Sequence, residues 1–164
     1  IKDLNQMNFN KRTIAREFAF KFLYKHLMPD FTAEKKDFLA NKNAFNTALL
    51  EFEHSYTEAD DEHPNNTLDN SSRKFAEELI LGTLKDESLY ISKIEPFLTN
   101  RNIDKVDRLN LSALLLGTFE IVNDKEQSPG IYINEYVNIA KKYCPPDSSG
   151  FINSVLDKIA KSKV

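Results

Sequence analysis

Three cations near the start of the chain, Lys11, Arg12 and Arg16, are the first residues whose type and spacing suggest chemistry. Arg12 and Arg16 are four apart, so on a helix they project side by side along one edge. Paired arginines at an N-terminal helix end oppose the helix dipole, which points to a negatively charged partner, with ordinary surface solvation as the plain alternative. Farther along that segment Tyr24 is either a core tyrosine with a satisfied hydroxyl or an exposed ring. A second group lies near the other end. Asp147, Ser148 and Ser149 offer side-chain oxygens to the free N–H groups of a helix start, and Phe151 follows at once, as a core residue or as a ring presented at the turn. Asn153, like Asn134 and Glu135, interrupts an apolar pattern; such a side chain either ties helix to loop or faces a partner.

Enzyme chemistry has little to stand on. The chain contains no G-x-S-x-G, no phosphate-binding glycine loop, no G-x-G-x-x-G and no H-E-x-x-H. His26, His54 and His63 stand on separate segments, and His26 falls on an apolar stripe as a core histidine would. Cys144 is the one cysteine; it precedes two prolines, where no helix N-terminus lowers its pKa, and it excludes an intrachain disulfide. The acids Asp60, Asp61 and Glu62 beside His63 sit in a solvated stretch, so neither a metal nor another cofactor is expected. The formal net charge of -3 argues against a general nucleic-acid binder and moves attention to how charge is distributed.

The elements that position these residues read as helices throughout. With 164 residues the chain is expected to form a single domain over 1–164, and with four glycines, six prolines and no alternating β-branched run an all-α fold is predicted. No apolar run approaches the ~20 residues of a membrane span, no signal segment opens the chain, and the reducing cytoplasm is the expected compartment. Asn8 or Asn10 can cap a first helix to about Leu27 with the stripe Ala15, Phe18, Ala19, Phe22, Leu23. Phe20 and Tyr24 lie nearly opposite, so this helix is expected to be shared between two small bundles. Phe38, Phe45, Leu49, Phe52 and Tyr56 mark one or two further helices, and Thr57 to Ser71 reads as an exposed acidic loop that tolerates shortening. Ser71 or Ser72 then caps a helix carrying Phe75, Ala76, Leu79, Ile80 and Thr83 inward, and Pro96 shortens the next one. Asn100 to Arg108 is polar and basic, and Asn110 can cap a buried helix from Leu111 to Val122. Last comes a hairpin: a helix striped by Ile133, Tyr136, Val137, Ala140 and Cys144, a stiff proline loop, and a helix striped by Ile152, Val155, Leu156 and Ile159. About seven helices result.

The hairpin also carries a resemblance. Its I-N-E-Y-V-N-I-A-K-K-Y and D-S-S-G-F-I-N-S-V-L-D-K-I-A are similar to the C-terminal signature of the NusB family, I-N-E-x-V-x-L-A-K followed by F-V-N-G-V-L-D. The opening K-R-T-I-A-R-E-F-A-F-K-F-L-Y resembles the family's R-R-x-A-R-E, apolar run and L-Y. Ile103-Asp104-Lys105-Val106 matches L-D-R-L, and Phe119-Glu120-Ile121 matches Y-E-L. Thr13, Ile14 and Leu115 depart from the pattern where relatives often keep arginine.

The resemblance implies a NusB-like fold and a non-enzymatic transcription antitermination factor. Its implied partners are a NusE-type small-subunit ribosomal protein, a boxA-like single-stranded RNA and the RNA polymerase antitermination complex. By position it implicates Lys11, Arg12 and Arg16 in an RNA-binding edge, with Tyr24, Asp147, Phe151 and Asn153 as further candidates. Single strands are held by phosphate contacts and by bases stacked on rings such as Phe151, while Asp147 can accept from a base edge. Two alternatives remain: a helical adaptor that binds protein only, and a domain related to the RNA-binding part of rRNA cytosine methyltransferases.

Overall fold

The computed structural model describes the backbone of residues 2–59 and 68–162, and the side chains of residues 11–55 and 68–162. Among the described residues there is no strand; there are eight α-helices, with short 3-10 turns between the first two and between the fifth and sixth. These are α1 (Lys2–His26), α2 (Thr32–Ala40), α3 (Lys42–Ala59), α4 (Asn70–Lys85), α5 (Glu87–Ile94), α6 (Arg108–Asn123), α7 (Pro129–Tyr143) and α8 (Ser148–Ser162). The chain divides into two compact units, Ile1–Leu81 and Gly82–Val164, with the boundary inside α4.

In the first unit α1 is buried on opposite sides. Phe18 and Phe22 are fully enclosed, and so is Phe20, while Tyr24 is half-buried. The core here is aromatic: Phe22 meets Phe38 at 5.9 Å, Phe45 at 6.0 Å and Phe52 at 5.5 Å between ring centres. The segment after Pro29 holds two helices, because Asn41 breaks it and caps α3, accepting from the Ala44 N–H at 3.1 Å. Helix α1 is already helical from Lys2, so neither Asn8 nor Asn10 begins it. Asp69 rather than Ser71 or Ser72 starts α4, its Oδ1 accepting from the Ser72 N–H at 2.7 Å. Arg73 ties that start to α3: its guanidinium donates to both carboxylate oxygens of Glu53, at 3.0 and 2.6 Å, and to the Leu68 carbonyl at 3.2 Å. The expected loop from Thr57 to Ser71 lies largely outside the described residues; at its ends α3 continues to Ala59, Leu68 is buried and α4 begins at Asn70.

His26 is the core histidine that its place on the stripe predicts. It is 1% exposed, stacks on Phe22 at 4.2 Å, and its Nδ1 donates to the Phe22 carbonyl at 2.9 Å. Burial lowers its pKa below 6.5, against the opposing pull of the Phe22 carbonyl and of Glu34. The unfolded chain therefore takes up a proton that the folded ring resists. Stability is full above pH ~6.5 and falls as pH drops from there toward the ring's own lower pKa. Urea midpoints are expected to decline between pH 7.5 and 5.5, with a shallower decline for His26→Gln.

The second unit is built around α6, which touches α5, α7 and α8. Ser112 through Thr118, Glu120 and Ile121 are all buried, as expected of a helix apolar on every side. Its cap is Asp107, whose Oδ1 accepts from the Leu109 N–H at 2.8 Å, three residues before the expected cap Asn110. Leu115, which stands where relatives often carry arginine, is fully enclosed. Glu120 is buried with the Tyr136 hydroxyl donating to it at 2.6 Å. Gly117 lets α8 and α7 close in, since a Cβ there would lie 2.8 Å from Leu156 Cδ1 and 3.3 Å from the Tyr136 ring. The α7 stripe is broader than expected: Tyr132, Glu135 and Ile139 are buried beside Ile133, Tyr136 and Ala140, whereas Val137 and Cys144 are half-buried.

Candidate nucleic-acid interface

Helix α1 places Lys11, Arg12 and Arg16 against the first turns of α4, but in different states. Arg12 is exposed and Arg16 only 3% exposed, yet both guanidinium carbons lie over the Phe75 ring, at 5.2 and 5.3 Å from its centre. Phe75 is thus a half-buried platform for α1 cations, not the plain core residue that its stripe suggests. Lys11 pairs with Asp69 at 2.8 Å. Hydrogen bonds from Lys11 and from the Ser72 backbone hold the Asp69 carboxyl down at about 2. A groove of about 450 Å³ opens here, lined by Lys11, Arg12, Ser71, Lys74, Phe75 and Glu78 among others. Tyr24, half-buried farther along α1, does not line it.

The second patch belongs to the other unit. Phe151 is half-buried in the first turn of α8 and forms one wall of a groove of about 310 Å³. The other walls come from Asn100, Asn102, Lys105 and Asp107 in the segment between α5 and α6, and from Asn110 in the first turn of α6. Asn110 Oδ1 is buried and, among the described residues, accepts no hydrogen bond, an acceptor without a donor beside an aromatic wall. On the same segment Arg101 is exposed at φ 49°, a left-handed conformation uncommon for a side chain of that size. Asp147 is exposed, and among the described residues its carboxylate accepts no hydrogen bond, so it is not spent on capping α8. Asn153 is exposed on α8, as Asn134 is on α7, rather than tied into the core, whereas Glu135 is buried.

Other chemistry finds no support in the geometry. Among the described residues no group of His, Cys, Asp and Glu could hold a metal ion. Burial pushes the Cys144 thiol up to about 11, helped by Asp107, which keeps it protonated and unreactive. Among the described residues no helix is long and apolar enough to cross a membrane.

An all-helical scaffold that carries a cationic groove and an aromatic, amide-lined one defines a binding module. The chain belongs to the NusB family, whose pattern matches residues 13–161. The transcription antitermination protein NusB of Thermodesulfovibrio yellowstonii is 30% identical over 155 residues, 94% of either chain. A crystal structure of the antitermination factors NusB and NusE in complex with double-stranded RNA contains a chain 25% identical to this one. Its TM-score is 0.68, and the match covers 93% of this chain and 98% of that one. The solution structure of NusB from Aquifex aeolicus gives 26% identity and a TM-score of 0.65 over 93% of this chain and 88% of that one.

Several residues of these grooves escaped the sequence reading. Phe75 looked like core because its role depends on α1, far away in sequence. The basic, polar character of Asn100 to Arg108 was visible, yet nothing in the sequence brings that segment to Phe151.

Proposed function

We propose that this chain is a cytoplasmic, non-enzymatic transcription antitermination factor that acts as one helical RNA-binding domain. It pairs with a NusE-type small-subunit ribosomal protein and binds boxA-like single-stranded RNA within the RNA polymerase antitermination complex. The observation that carries the RNA part is the Phe151 groove, where a half-buried ring, several amides and Lys105 converge. Stacking on a ring, amide contacts to base edges and a cation for phosphate are together what a single-stranded nucleotide needs. Asp147, exposed four residues before Phe151 in the chain, supplies an acceptor for a base amino group, and Asn153 extends the polar surface along α8. Lys11, Arg12 and Arg16 form the second contact region, with Arg12 the outward member, and half-buried Tyr24 is the further candidate on α1. Family membership supports the antitermination role, and the NusB–NusE complex with double-stranded RNA supports a NusE-type partner and RNA as a ligand class.

Net charge -3 limits how many counterions the protein alone can displace from RNA. The isolated chain is therefore expected to bind a boxA-like strand weakly, and a basic NusE-type protein to tighten binding and steepen its salt dependence. Fluorescence anisotropy with boxA-like, scrambled and double-stranded RNA, with and without that protein, measures this. Equal affinity of the complex for boxA-like and scrambled strands, unchanged by Arg16→Ala and by Phe151→Ala in folded proteins, would leave a protein-only adaptor as the better description.

A further inference from the structure

The α1/α4 groove carries more than the arginines of α1. Lys74, on the first turns of α4, is exposed and lines the same groove as Arg12 and the Ser71 hydroxyl. Among the described residues neither Arg12 nor Lys74 has a carboxylate partner, whereas Lys11 is held by Asp69 and Arg73 by Glu53. Two cations on different helices thus line one groove, and Glu78, which also lines it, is paired with neither. Arg12 is also held in place: it stacks on Phe75, one residue after Lys74.

We infer that the RNA backbone crosses this groove, with Lys74 as a phosphate-binding residue opposite Arg12 and Phe75 as the positioning residue that aims the Arg12 guanidinium. The inference rests on the RNA-binding reading above. A nucleic-acid strand fits these cations better than an acidic protein does. Its charges recur at every nucleotide, so a strand neutralised by Arg12 brings a further phosphate to Lys74, and this needs no base-specific group. Lys74 also restores a charge on this edge, where α1 carries Thr13 and Ile14 and Arg16 is buried.

The test uses the full chain with its NusE-type partner and labelled boxA-like and scrambled single-stranded RNA across a salt series. Lys74→Gln alters an exposed side chain and should leave folding intact. It is expected to weaken binding to both RNAs by the same factor and to reduce the log–log salt slope by about 1. Phe75→Leu should weaken binding less than Arg12→Ala, and in its background Arg12→Ala should lose most of its own effect. Melting curves separate this coupling from unfolding, and Lys74→Gln stands as the independent variant. An unchanged slope in Lys74→Gln, while Phe151→Ala still weakens binding, overturns the inference and leaves the RNA reading standing. A loss of NusE-type partner binding at unchanged RNA slope also overturns it and assigns the groove to that protein partner instead of RNA. If the unmutated complex binds no RNA, both readings fall.

Discussion

Phe22→Ala is expected to lower the unfolding free energy by about 3–5 kcal/mol, the largest effect of any single truncation considered for this chain. The ring is fully buried and sits where α1, α2 and α3 meet. It contacts Phe18 at 6.5 Å, His26 at 4.2 Å, Phe38 at 5.9 Å, Phe45 at 6.0 Å and Phe52 at 5.5 Å. Removing it forfeits both its transfer free energy and its contacts with rings that are too rigid to collapse into the cavity. Phe45 and Phe52 both meet Phe22 edge-on, a geometry worth about 0.5–1.5 kcal/mol per pair beyond burial. Since a domain of this size holds only about 5–15 kcal/mol in all, the variant should lose much of its stability. Phe22→Leu, which keeps most of the volume, should cost clearly less. Urea denaturation with the slope monitored measures both. A cost below ~1 kcal/mol for the alanine variant would mean that this cluster is not what holds the first unit together.

How much of this was legible depends on whether a residue's role is local. The α1 stripe Ala15, Phe18, Ala19, Phe22, Leu23 and the α8 stripe Ile152, Val155, Leu156, Ile159 are buried as their spacing predicts, because helical periodicity alone fixes which side turns inward. Phe20, fully buried opposite Phe18, bears out the two-sided burial of α1. Helix starts were less legible. Asp69 and Asp107 took positions for which Ser71, Ser72 and Asn110 were equally good chemical candidates, and choosing among neighbouring caps needs the tertiary position of the chain. In α7 the extra burial of Tyr132, Glu135 and Ile139 follows from its contacts with both α6 and α8, which a one-stripe reading misses. The candidate site residues Arg12, Asp147 and Phe151 stand in short motifs, so the sequence singles them out as candidates. It is silent where distant segments meet, as Phe75 meets Arg12 and Asn110 meets Phe151.

Phe151→Ala is expected to weaken RNA binding by the complex with the NusE-type protein by about 1–3 kcal/mol, or roughly five- to 150-fold. The loss should be sequence-tolerant if the ring only stacks, because every base has a flat face, and larger for boxA-like RNA if Asn110 reads the stacked base as well. The fold should survive. Ile152, Val155, Leu156 and Ile159 anchor α8, and each is nearly or fully enclosed, whereas Phe151 is half-buried on the groove side. Arg16→Ala is a poorer probe than its place in the motif suggests, since Arg16 is 3% exposed over Phe75 and its removal disturbs α1 against α4. Arg12→Ala, at an exposed position, isolates the phosphate contact and should weaken boxA-like and scrambled RNA alike. Anisotropy titrations of Phe151→Ala, Asn110→Ala and their double variant decide the matter. A sub-additive loss identifies ring and amide as contacts to one nucleotide. Wild-type affinity in a folded Phe151→Ala protein would remove the stacking contact from the mechanism and leave RNA binding to the cations alone.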